Sequence, residues 1–75
     1  MAADPSCRYQ VKGLARSRTF HIDSFSDPET AVDAAGTVAG EGEYARVLVV
    51  DSETWHGAVV TGSVGIVWDS DEVAP

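Results

Sequence analysis

Two short runs near the start of the chain alternate between apolar and polar residues. They cover residues 7–11 and 16–24, and a period of two is typical of strands that bury one face. Residues 13–15 lie between the runs. We predict a turn there that joins the two strands in a β-hairpin.

The same alternation predicts a register for the hairpin. Side chains that oppose each other across two strands lie on one face of the sheet. Pairing Tyr9 with Phe20 and Cys7 with Ile22 groups the apolar side chains, whereas a shift by one residue sets Tyr9 against Thr19. We therefore predict the first of these registers.

A helix start follows the hairpin. The side chain of Ser26 or Asp27 can accept a hydrogen bond from a first-turn N–H, and Pro28 is tolerated in a first turn. The glycines Gly40 and Gly42 end the predicted helix. Its apolar positions recur at helical spacing and are Ala31, Val32, Ala35, Val38 and Ala39.

The second half of the chain contains further strand patterns. Residues 44–50 are apolar on both faces, which predicts a central strand. A polar turn at residues 51–54 precedes a fourth strand at residues 55–61. Residues 64–68 form a fifth strand or a strand extension, and the acidic tail at residues 69–75 is expected to be frayed.

The predicted order is β-β-α-β-β, which indicates an α+β fold. We expect a small two-layer domain in which an antiparallel sheet of four or five strands carries one helix on one face. The 75 residues are enough for a single domain over residues 1–75, with an ordered core at about 7–68. The other face of the sheet is expected to be open.

The charge of the chain is strongly negative and unevenly placed. The net charge is −7. Four cations nearly balance five carboxylates in residues 1–37, whereas Arg46 alone opposes seven carboxylates from residue 38 onward. Nucleic acid is an unlikely partner and a membrane is not expected, because attraction to phosphates or anionic lipid needs a basic surface.

The single cysteine, Cys7, excludes an intramolecular disulfide. Small secreted domains usually depend on disulfides, so a reducing compartment is favoured. The first residues do not resemble a signal peptide, and the apolar runs are far shorter than the roughly 20 residues that span a bilayer. We therefore expect a cytoplasmic protein.

Residue patterns typical of catalysis are not found in the sequence. Cys7 and His21 are the one tempting nucleophile–base pair, and the predicted register points them to opposite faces. His21 and His56 have no metal-ligand spacing, and the carboxylates fall in turns and the tail. We predict a protein that is not an enzyme and holds no cofactor or metal.

Interaction candidates come from the cations and the tryptophans. Four cations lie on the predicted hairpin, and two tryptophans exceed what a thin core readily covers. Tryptophan and arginine are both enriched at binding hot spots. The candidates are Arg8, Lys12, Arg16, Arg18, Trp55 and Trp68.

The segments FSDPETA at residues 25–31, AA at residues 34–35 and YARVLVVD at residues 44–51 carry a resemblance. The chain resembles small uncharacterised β-β-α-β-β proteins of actinobacteria and actinobacterial phages, over residues 7–61. It departs from them at residues 55–57, where a Thr-Gly turn is usual. The resemblance implies a hairpin, an alanine-rich helix and a second hairpin, and it implies no activity.

Three hypotheses about function follow. The first is a non-enzymatic protein–protein interaction module, either a phage-encoded protein that acts on a host protein or a homodimer. The second is an acidic inhibitor that mimics nucleic acid and binds a basic protein. The third is a structural subunit such as a virion decoration protein.

Overall fold

The computed structural model describes residues 7–57 and 64–73. Its elements are, in chain order, β1 (Tyr9–Ala15), β2 (Arg18–Phe25), α1 (Pro28–Glu41), β3 (Arg46–Asp51), β4 (Ile66–Asp69) and α2 (Ser70–Val73). The strands form one antiparallel sheet in the order β2-β1-β3-β4. The predicted fold class is confirmed, because α1 packs against a four-stranded antiparallel sheet.

The helix begins as the sequence predicts and ends at the second of the two predicted glycines, since Gly40 lies within α1. Asp27 is the N-cap, and its Oδ2 accepts hydrogen bonds from the Thr30 backbone N–H at 2.9 Å and from Thr30 Oγ1 at 3.0 Å. Pro28 occupies the first turn. Gly42 closes the helix in a left-handed conformation, with φ of 76°, which glycine adopts without steric cost.

The hairpin turn lies later in the chain than predicted. Arg16 and Ser17 form it, with φ of 53° and 65°, and residues 13–15 continue β1. Two successive positive φ values match the twist of paired strands in a two-residue turn. The predicted turn was wrong because Gly13 suggested a turn and is instead a strand residue.

The position of Gly13 has a packing explanation. The ring of Tyr44 lies over it, and a Cβ added to Gly13 would be 2.6 Å from Tyr44 Cδ1. A strand glycine often marks such a close approach. Gly13 therefore makes room for the aromatic ring that follows α1.

The predicted register is also wrong. Tyr9 pairs with Phe25, and Phe20 pairs with Gly13. The register shifts within β1 beside Lys12, which leaves Ile22 of β2 without a direct partner and forms a bulge. The bulge allows Phe20 and Phe25, five residues apart, to share the face that α1 covers.

The main core lies between α1 and the sheet. Ala31 and Ala35 of the helix and Val11, Val47 and Val49 of the sheet are all fully buried. Since alanine adds little bulk, the helix can lie close to the central strands. The apolar pattern of α1 therefore predicted its buried face correctly.

The expectation of an open second face is wrong for β3. Leu48 and Val50 alternate with Val47 and Val49, so they point away from α1. Both are nevertheless 0% exposed. Lys12 of β1 pairs with Leu48 across the two strands, and α2 lies against β3. The chain thus buries both faces of its central apolar strand.

The fourth strand is formed by the segment predicted as a fifth strand. Residues 55–57 are not in a strand, and residues 58–61 of the predicted fourth strand lie outside the described residues. Where the sequence predicted a frayed tail, Asp69 ends β4 and Ser70 begins α2. The Ser70 Oγ accepts a hydrogen bond from the Val47 N–H at 2.9 Å, which ties α2 to β3.

Candidate interaction surface

The tip of the β1–β2 hairpin combines exposed aromatic and cationic side chains. Phe20 is 41% exposed, and its ring centroid lies 6.1 Å from that of Tyr44, with the ring planes tilted by 47°. Arg16 lies in the turn and Arg18 begins β2, and both are exposed. We call these four residues, Arg16, Arg18, Phe20 and Tyr44, the hairpin-tip surface.

Backbone contacts hold this surface in one geometry. The Ala45 N–H donates to the Leu14 carbonyl at 2.9 Å, which places the segment after α1 beside the end of β1. Tyr44 is fixed over Gly13 by the same arrangement. The aromatic pair is therefore preorganised rather than carried on an independent loop.

The two arginines of the hairpin tip differ from the other cations of the chain. Within the described ranges, no carboxylate lies at ion-pair distance from Arg16 or Arg18. The chain has five cations in all. The other three, Arg8, Lys12 and Arg46, contact side chains of their own fold.

Arg8 lies at the opposite end of β1 and is held by two carboxylates. Its Nε and Nη2 donate to Asp51 Oδ1 and Oδ2 at 2.8 and 2.7 Å, and its Nη1 lies 2.7 Å from Glu53 Oε2. The guanidinium also lies over the Tyr9 ring, 5.7 Å from its centroid. The hydrogen bonds from Arg8 hold the pKa of Asp51 below its ordinary value.

Lys12 is half-buried and contacts a histidine. Its Nζ lies 3.1 Å from His21 Nδ1, and His21 Nε2 lies 3.2 Å from Ser24 Oγ. Burial lowers the pKa of Lys12. His21 thus links the side chains of Lys12 and Ser24 through its two ring nitrogens.

The structure therefore does not gather the four predicted cations into one patch. Roughly 25 Å of extended chain separates Arg8 from Arg16. Lys12 lies on the face away from α1, whereas Arg18 pairs with Ala15 on the face of Val11. Arg16 and Arg18 remain together, and Arg8 and Lys12 serve contacts within the fold.

The tryptophans are only partly exposed. Trp68 pairs with Val49 and packs against the core. Trp55 is half-buried, and its backbone N–H donates to the Asp51 carbonyl at 2.8 Å. Gly65 approaches it so closely that an added Cβ would lie 2.5 Å from the Trp55 Cα. In the described part of the chain, the exposed large apolar residues are Phe20, Val64 and Val67.

Sequence reasoning missed Phe20 as a surface residue and Arg46 as a structural one. Alternation assigns a face to Phe20, but it does not reveal that the outermost strand lies partly beyond the reach of α1. Arg46 binds Asp69, which is far along the chain. The local signal was the position of Phe20 shortly after two arginines, Arg16 and Arg18, on a hairpin.

The remaining features of the described residues concern metal binding, surface depressions and membrane crossing. No group of three or more potential ligands is placed to hold a metal there. A shallow depression on α1 is lined by Pro28, Glu29, Val32 and Asp33. In the same ranges, neither α1 nor α2 has the length and hydropathy needed to cross a membrane.

Comparisons with models of known protein families, with curated proteins and with solved structures found no significant match. The resemblance to actinobacterial and phage proteins stays a prediction. The function must therefore be argued from the surface itself.

Proposed function

We propose that this chain is a non-enzymatic protein-interaction module that binds another protein through the hairpin-tip surface. The observation that carries the proposal is the placement of Phe20. It is exposed beside Tyr44 and next to two arginines that have no carboxylate partner in the described ranges. Aromatic residues and arginine are the types enriched where proteins bind each other.

The charge distribution favours a different protein over a second copy as the partner. Each copy carries a net charge of −7, and like charge opposes self-association. Within residues 7–57 and 64–73, the ion pairs involve Arg8 and Arg46 and leave the two arginines of the hairpin tip without a carboxylate. A partner with a locally acidic segment is therefore the best match, and the homodimer is the weaker of the two forms of the hypothesis.

The acidic-inhibitor hypothesis is less well supported. A mimic of nucleic acid needs carboxylates that are free to meet a basic protein. Of the seven carboxylates from residue 38 onward, four are engaged by Arg8 or Arg46; they are Asp51, Glu53, Asp69 and Asp71. The structural-subunit hypothesis gains no specific support from the fold.

A cytoplasmic setting belongs to the proposal. The chain has a single cysteine, and its fold is held by packing and ion pairs, as suits a reducing compartment.

Affinity capture with matched variants tests the proposal. Phe20→Ala and Arg18→Ala are compared with Ser26→Glu, which makes the same change in net charge as Arg18→Ala at the other end of β2. Circular dichroism first shows that each variant is folded. The proteins that bind each variant are then cross-linked to it and quantified by mass spectrometry. A partner retained by the wild type and by Ser26→Glu, and lost by both tip variants, is the expected result. Equal capture by all folded variants contradicts the proposal.

A further inference from the structure

Among the described residues, no strand pairs with the outer edge of β2, and that edge is open over half of its length. β2 is an edge strand, so every second residue points its N–H and C=O away from β1. Residues 18–21 are all exposed. Beyond them lies the bulge at Ile22, and the Ser24 N–H already donates to Asp23 Oδ1 at 2.8 Å.

The bulge and the Asp23 side chain restrict any added strand to residues 18–21. Bulges are among the means by which proteins protect sheet edges, and a backbone N–H that already donates to a side chain is not available to an added strand. At β2 these means protect the C-terminal half and leave the half next to the hairpin tip available. An incoming segment is thus limited to about four residues.

The side chains of the open half define the chemistry of that segment. Arg18 and Phe20 lie on the α1 side of the sheet, where Tyr44 adjoins Phe20. Thr19 and His21 lie on the other side. A segment with an acidic residue and an apolar residue two positions apart puts both on one face, so it can place a carboxylate near Arg18 and an apolar side chain near the aromatic pair.

We infer that the hairpin-tip surface binds an extended, acidic segment of a partner protein, which adds a short strand to residues 18–21 of β2. This inference rests on the proposed function and names its partner. Main-chain hydrogen bonds to the open edge give affinity, and the Arg18 and Phe20 side chains give selectivity. Arg16, in the turn, lies close enough along the chain to add a second positive charge.

The probe is a capped peptide of the sequence Glu-Thr-Val-Thr-Glu, whose glutamates and valine share one face in an extended strand of either direction. It is titrated into the isotope-labelled full chain and followed by amide chemical shifts. We expect changes centred on residues 18–21 and at Tyr44. Arg18→Ala should weaken binding by about fivefold, as expected for a partly exposed ion pair at a strand edge. Ser26→Glu should leave the affinity unchanged.

Two N-methylated peptides test the strand geometry. One is methylated at the threonines and the other at the glutamates and the valine, so that one of them blocks the amides facing β2. Loss of binding by one of the two is expected. Equal binding by both, equal binding of a Lys-Thr-Val-Thr-Lys peptide, or tighter binding of a single-stranded oligonucleotide overturns the inference.

Failure of this inference is separable from failure of the proposed function. If Phe20→Ala and Arg18→Ala lose a captured protein while the acidic peptide does not bind, the surface binds protein in another way. If the peptide binds residues 18–21 while all variants capture the same proteins, the proposed function fails.

Discussion

Arg46 on β3 donates two hydrogen bonds from its guanidinium group to the carboxylate of Asp69 at the end of β4. Asp69 is only 2% exposed. Asp69 Oδ1 also accepts the Asp71 N–H at 3.0 Å. The same arrangement recurs where Arg8 holds Asp51. An aspartate that ends a strand is thus bound in both places by an arginine of the neighbouring segment, which is β3 for Arg46 and the residue before β1 for Arg8.

The two pairs differ in burial, and we predict that they differ in their effect on stability. Arg46→Leu should lower the free energy of unfolding by about 3 kcal/mol, because it leaves the Asp69 carboxylate buried without a positive charge beside it. Arg8→Leu should cost clearly less, since the Arg8 side chain is 42% exposed and exposed pairs contribute little. Urea unfolding of both variants measures the difference.

The double variant Arg46→Leu/Asp69→Leu is the control. It removes both charges and should recover most of the loss of Arg46→Leu. A loss from Arg8→Leu as large as that from Arg46→Leu would contradict the claim that burial makes the Arg46–Asp69 pair the more important of the two.

Stability should decrease in acid because of the same two aspartates. Hydrogen bonds from arginine lower the pKa of Asp51 and of Asp69 from the ordinary value of 3.8. A carboxyl whose pKa is lower in the folded state binds a proton more readily when unfolded. The stability it contributes is therefore present above pH 3.8 and is lost as the pH falls toward the folded-state pKa.

Unfolding by urea between pH 7 and pH 2.5 checks this prediction, with Asp51→Asn/Asp69→Asn as the comparison. The wild type should lose stability steeply below about pH 4, whereas the double variant should be less stable at pH 7 and show a shallower slope. Parallel curves for the two proteins would show that other carboxyls govern the acid transition.

A pair of glycine substitutions should have opposite effects. Gly13→Ala places a methyl group against the Tyr44 ring at 2.6 Å, so it should destabilise the fold by about 1–3 kcal/mol. Gly36→Ala adds a methyl group in open space on α1 and should stabilise it by up to about 1 kcal/mol. Thermal unfolding of the two variants measures both changes, and a neutral Gly13→Ala would argue against the contact.

The hairpin turn offers a substitution that should increase stability. Ser17 has a φ of 65°, which an L side chain adopts only with strain. Ser17→Gly should raise the free energy of unfolding by about 0.5–1 kcal/mol, because glycine at this position suits the two-residue turn. The midpoint of thermal unfolding should rise, whereas a fall would indicate a contact of the Ser17 side chain.

Local signals in the sequence predicted local structure well. The cap at Asp27, the first-turn proline and Gly42 determine the ends of α1 through contacts within a few residues, and the sequence contains all of them. The apolar stretch of β3 predicted a central strand for the same reason. These elements need no information from distant parts of the chain.

The register and the candidate site depended on distant contacts. Gly13 suggests a turn until Tyr44, 31 positions later, is known to lie over it. Arg8 and Arg18 are alike in the sequence, and only the fold shows that one meets Asp51 while the other meets no described carboxylate. Phe20 was assigned to the core because its face was predicted, while its distance from α1 was not.

The run Val47–Val50 has almost the same residue at every position and is buried on both faces. Sliding such a strand by one or two residues changes its burial little, so apolar contacts alone give it no preferred alignment with its neighbours. Arg46 at its start binds β4, and Asp51 at its end binds the residue before β1. Either slip would separate both pairs, so the two charged ends select a single alignment for a strand whose interior is nearly uniform.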